Sequence, residues 1–132
     1  MICIFHYQKL LPEQQAALQQ AAEEIGEGIS VFTEADLGRR VEDAIRTARP
    51  LKDAALANVP GEGTVTFLIL DMKSDKVDEA LAAFKTAKLY LPYKCVLTRA
   101  NRKWTLATLM NNVIKEHNMM QMQMAARMQK NK

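Results

Sequence analysis

Hydrophobic positions along the chain switch repeatedly between a short-run pattern and a helical one. Ile2 to Tyr7 is an apolar and aromatic run that suits a strand. Pro12 is a good first helical residue, and Leu11, Leu18, Ala21, Ala22 and Ile25 make a modest apolar stripe that Gly26 ends. Ile29 to Phe32 reads as a second strand. Thr33-Glu34-Ala35-Asp36 resembles a capping box opening a helix with Leu37, Val41, Ala44, Ile45 and Ala48 at helical spacing, stopped by Pro50. Residues 49–63 show the weakest pattern, with a short helical turn expected within 51–60, closed by Pro60-Gly61. Thr64 to Met72 is the strongest strand, and its nearly continuous apolar run marks burial on both faces. Ser74 or Asp75 caps a third helix whose stripe is Val77, Ala80, Leu81 and Phe84. Lys94 to Leu97 is a fourth strand, followed by a turn and a long helix. Thr105 is placed to cap that helix, with Trp104 and Leu109 at the two positions of a hydrophobic staple.

The order β-α-β-α-β-α-β-α predicts an α/β fold with a four-stranded, mainly parallel sheet and a long C-terminal helix. The expected strand order is 2-1-3-4. No internal repeat or low-complexity linker divides the chain, so residues 1–118 are expected to form one domain. Residues 119–132 are expected to be a Met-rich helical extension or a frayed tail.

That extension has its own pattern. Leu106, Met110, Val113, His117, Met120 and Met124 alternate spacings of four and three, as in a heptad seam. Methionine side chains are flexible and suit adaptable interfaces. His117, Met120 and Met124 are therefore the candidate interface residues of a homo-oligomer formed through the C-terminal helix. Met120, Met122 and Met124 beside His117 are also a thioether set of the kind that holds copper(I), but residues two apart point apart on a helix, so no metal site is expected.

At 132 residues, with 48% hydrophobic and 25% charged positions, the composition is that of an ordinary globular domain. The net charge of +3 hides an asymmetry: from Lys94 onward eight basic residues face one acid, Glu116. The basic residues are spread out and only Tyr93 and Trp104 lie among them as stacking platforms, so a solvated face is favoured over a nucleic-acid surface. No stretch is apolar enough to span a membrane and no leader pattern opens the chain, which makes a cytoplasmic location the expectation. Cys3 and Cys95 sit inside predicted strands two strand spacings apart, so they read as buried small hydrophobes beyond disulfide reach.

With order 2-1-3-4 and parallel strands, a crevice would open at the carboxyl ends of strands one and three. His6 and Tyr7 leave strand one there, Asp71 leaves strand three, and Thr98 and Asn101 leave strand four. These five are the candidate ligand-binding residues. Glycine-rich phosphate loops, dinucleotide fingerprints and nucleophile elbows are all missing, so no catalytic residue and no cofactor is assigned. The expected function is a protein-interaction or ligand-binding module. An enzyme or small-molecule sensor using the crevice is the alternative, and a nucleic-acid-binding module the third.

Pro92-Tyr93-Lys94-Cys95-Val96-Leu97-Thr98, Asn101, Lys103-Trp104-Thr105-Leu106, Leu109 and His117 together resemble the C-terminal signature of a small bacterial domain family. That family is known as a domain of unknown function, number three-seven-eight-three. The resemblance runs from about Thr64 to His117 and implies no activity. Arg99-Ala100 stands where the family has a proline or small residue.

Overall fold

The computed structural model describes residues 1–53 and 65–130, with side chains through Arg127. Five strands, β1 (Ile2–Phe5), β2 (Ile29–Phe32), β3 (Arg49–Pro50), β4 (Phe67–Leu70) and β5 (Lys94–Val96), form one mixed sheet. Four helices, α1 (Pro12–Glu24), α2 (Val41–Thr47), α3 (Ser74–Thr86) and α4 (Leu106–Lys130), cover its two faces.

Alternation along the strands divides the core in two. Ile2, Ile4, Val31, Leu68 and Leu70 point to one face, where they meet Leu18, Ala21 and Ala22 of α1 and Val77, Ala80 and Phe84 of α3. Cys3, Phe5, Phe32, Phe67 and Ile69 point to the other, against Val41 and Ala44 of α2 and Leu106, Leu109 and Met110 of α4. Fully burying one such side chain, Leu18 or Leu106 for example, stabilises by about 1.5–3 kcal/mol. Gly26 ends α1 in the left-handed conformation at φ 71°, and Lys88 ends α3 at φ 57°.

The expected order of the four main strands is present, with β3 added at the edge: β3-β2-β1-β4-β5. Their directions differ from expectation. β1 is parallel to β2 and β4 to β5, but β1 and β4 run antiparallel, as do β2 and β3. Phe67–Leu70 is buried throughout, as its apolar run predicts. A strand covered on both faces is apolar whichever way it runs, so the pattern carried no directional signal. Tyr7 belongs to a 3₁₀ turn rather than the first strand. The Thr33–Asp36 box opens a 3₁₀ turn, and α2 starts only at Val41. The turn expected within 51–60 is seen as a 3₁₀ turn at Leu51–Asp53; its remainder and Thr64 lie outside the described residues.

β1-α1-β2-α2 and β4-α3-β5-α4 follow the same order of elements. In each, two parallel strands are joined through a helix on one face, and a second helix follows on the other. The units join through the antiparallel β1–β4 pair.

Candidate functional site

After β5 the chain turns through a clasp. Thr98 donates its backbone N–H to Asn101 Oδ1 at 2.8 Å, and Asn101 returns its own backbone N–H to Thr98 Oγ1 at 3.1 Å. Asn101 Nδ2 donates to the Val96 carbonyl at 3.0 Å. These bonds explain why a buried polar residue is tolerated here. The turn leads to α4, where Thr105 Oγ1 accepts the Thr108 N–H at 3.2 Å, the cap the sequence predicts. Leu106 and Ala107 donate their N–H groups to the carbonyls of Arg39 and Leu37. The first turn of α4 therefore has its donors occupied by the chain and presents no anion-binding cradle. Trp104 is partly exposed while Leu109 is in the core.

His6 and Tyr7 lie at the far end of the molecule from Asp71. Because β1 and β4 are antiparallel, Phe5 pairs with Phe67, whereas Asp71 follows Leu70 and donates its N–H to the Met1 carbonyl. Thr98 and Asn101 are on the Asp71 side, where Leu97 bonds Leu70. The five candidates thus divide between two ends of the sheet and do not line one crevice. The structure brings Thr98 to Asn101 and leaves His6 beside Tyr7.

His6 is unusual on its own account. It adopts φ 61° and ψ 47°, a left-handed conformation that histidine visits more readily than bulky residues. Its ring is stacked on Phe5 at 3.8 Å and is only 5% exposed. Neither ring nitrogen has a hydrogen-bond partner of good geometry among the described residues, and Glu34 Oε1 stands 4.0 Å from Nε2. Burial, and then the charge of Lys9, push its pKa below the ordinary histidine value; Glu34 and the Val65 backbone push the other way. Tyr7 is buried, and its hydroxyl accepts a bond from Gln19 Nε2 at 2.6 Å. It forms part of an open groove of about 600 Å³ between α1 and the β3 edge, with Gln15, Glu23, Ile29, Leu51 and Lys52 among the other lining residues. Sequence reading missed Gln19, Glu23 and Lys52. They are ordinary surface residues in sequence, and only the return of β3 places Lys52 near α1.

Beyond His117 the last helix leaves the body. His117 lies edge-on to Tyr93, with ring centres 5.2 Å apart. Residues 118–127 are all exposed, and Met120 and Met124 are 62% and 57% accessible. Toward its start the same seam is buried at Leu106 and Met110.

Cys3 and Cys95 both pair with Ile69, one from each side, and both are free thiols. Burial holds each near a pKa of about 12, so neither is a thiolate at neutral pH. Among the described residues no group of three or more His, Cys, Asp or Glu side chains could hold a metal ion, and no helix is long and apolar enough to cross a membrane.

No curated protein and no solved structure shows significant similarity to the chain. The clasp, the capped start of α4 and the strands leading to them all fall in the second β-α-β-α unit, and it is this part, residues 66–120, that matches the family model of a domain of unknown function, DUF3783.

Proposed function

We propose that the protein is an interaction module that associates with a second copy of itself through the methionine face of α4. The observation that carries this reading is the exposure of Met120 and Met124 on a seam that is buried at Leu106 and Met110. An apolar stripe beyond the edge of its own domain has no intramolecular core to enter. Covering it gains about 25 cal/mol for each Å² of apolar area removed from water. The same helix of a second chain offers a matching stripe, and a two-fold dimer is the commonest such assembly. Charge favours an antiparallel crossing centred between Met120 and Met124. Glu116 and Arg127 lie nearly equidistant from that centre, on opposite sides, so each would approach the other residue of the partner chain.

The test is sedimentation of the full chain and of a chain ending at His117. Removing residues 118–132 takes away none of the buried residues described in the body. The full chain is expected to dimerise and the shortened one to remain monomeric and folded. A full chain that stays monomeric at every concentration overturns the reading.

The groove beside Tyr7 supports a second reading, a small-ligand site. Its volume suits a small molecule, and Glu23 and Lys52 offer charges of both signs. A ligand carried through purification, detected by native mass spectrometry and lost in Gln19→Leu, would support this reading.

A further inference from the structure

We infer that residues 1–48 are a second, diverged copy of the domain matched at residues 66–120. The seam between the halves is then a two-fold, self-complementary surface whose partner is another copy of the same domain.

Layer arrangement alone would not carry this inference. Two right-handed β-α-β crossovers placed back to back put their helices on one face by handedness. The local details go further, because no rule of topology demands them. The parallel ladders start alike: Ile2 pairs with Ile29 and donates its N–H to the Gly28 carbonyl, and Leu68 pairs with Lys94 and donates to the Tyr93 carbonyl. The first helix of each unit ends in the same three bonds. Ile25, Gly26 and Glu27 donate to Ala21, Glu23 and Ala22, while Ala87, Lys88 and Leu89 donate to Ala83, Lys85 and Phe84. In both, the middle residue of the three is left-handed.

The second strand of each unit ends in a turn closed by the same first bond. Thr33 N–H donates to Asp36 Oδ2 at 2.8 Å, as Thr98 N–H donates to Asn101 Oδ1 at 2.8 Å. The residues recur as well, Thr33-Glu34-Ala35-Asp36 against Thr98-Arg99-Ala100-Asn101. Core positions of the second helix then match one for one: Val41, Ala44, Ile45 and Ala48 against Leu106, Leu109, Met110 and Val113. The connection from first strand to first helix is longer in the first unit, and that from first helix to second strand is longer in the second, so the numbering shifts offset each other to within one residue.

The seam obeys the same two-fold relation. Val41 donates its N–H to the Trp104 carbonyl at 2.8 Å, and Leu106 donates to the Arg39 carbonyl at 2.9 Å, on either side of an Arg40–Thr105 bridge. Arg39 corresponds to Trp104, Arg40 to Thr105 and Val41 to Leu106, so the two bonds are the same bond seen from each half. Across the sheet, β1 and β4 cross antiparallel with Cys3 opposite Ile69, the residue that takes its place in the second unit. An antiparallel pair is the arrangement in which one strand can meet a copy of itself with every ladder bond made twice.

The test exchanges the equivalent segments in the full chain. In one variant Thr98–Val113 replaces Thr33–Ala48; in a second the reverse graft is made; in a third both are made at once. If the halves are copies, the reciprocal exchange restores the bonds across the seam that each single graft disturbs. It should unfold cooperatively, with a melting temperature lowered by less than the two single grafts added together. A reciprocal exchange that does not unfold cooperatively, or that loses as much as the single grafts summed, overturns the inference.

Discussion

Asn101 shows how one residue can carry a turn. Its side chain accepts the Thr98 N–H and donates to the Val96 carbonyl. Asn101→Ala leaves both groups without their partner, and leaving a buried group unpaired costs about 1–3 kcal/mol. Asn101→Asp keeps the acceptor but turns a carboxylate oxygen toward the Val96 carbonyl, whereas the second oxygen of Asp36 is held by Arg39, and Trp104 stands at the matching position of the second half. In urea unfolding both variants should therefore be less stable than the parent chain; an aspartate variant as stable as the parent would mean that the bond to Val96 contributes nothing. His6 is the other residue with a specific consequence. Its folded pKa lies below the unfolded value near 6.5, so the unfolded chain binds the proton more readily. Its contribution is present in full above about pH 6.5 and is lost as pH falls from there toward the folded pKa. The melting temperature should drop between pH 7 and pH 5, and His6→Asn, which tolerates the left-handed backbone, should flatten that slope. A slope unchanged in His6→Asn would assign the acid sensitivity to other groups.

Among the elements, the ends of α1 and α3 make a matched pair with different residues. Gly26 and Lys88 fill the same left-handed position. A side chain in this conformation costs roughly 1–2 kcal/mol, which glycine avoids. An added Cβ at Gly26 would meet nothing within 4 Å, so Gly26→Ala should show that backbone cost alone. Lys88→Gly should change stability in the opposite direction, by a smaller amount because glycine also loosens the unfolded chain. Thermal unfolding of the two variants checks both signs; a destabilised Lys88→Gly would mean that the lysine side chain contributes more than its backbone strain costs. Elements of this kind were largely legible in the sequence. Pro12, Gly26, Thr105 and the apolar run at Phe67–Leu70 announced their helix ends and their strand. Where α2 begins was not legible. The turn after Asp36 is held by α4, whose Leu106 and Ala107 reach the carbonyls of Arg39 and Leu37, and nothing local announces a bond to a helix so distant in sequence.

At the level of the whole molecule, strand order was legible and strand direction was not. Apolar runs report burial, whereas direction leaves no mark in them. The candidate crevice failed with the direction: once β4 turns over, Asp71 moves to the opposite end from His6. The repeat had a sequence signal, Thr-x-Ala-Asp recurring as Thr-x-Ala-Asn before an apolar helix, but a short polar motif is easily passed over when the flanking strands share few residues. The two halves differ most after their last helix. In the first, α2 stops at Thr47 and the chain returns as β3 along β2; in the second, α4 runs on to Lys130. One methionine face therefore serves two like units. Two such faces per chain could link molecules end to end, whereas one face that pairs antiparallel with its own copy is used up in a closed dimer. Sedimentation equilibrium over rising concentration should accordingly level off at twice the chain mass of 14.9 kDa, with no larger species. Met120→Glu with Met124→Glu should return the protein to the monomer mass and leave a melting temperature that no longer rises with concentration, equal to that of the parent chain when dilute, because both side chains lie outside the core. Continued growth beyond the dimer would place a second association surface elsewhere on the molecule and contradict a single closed contact through α4.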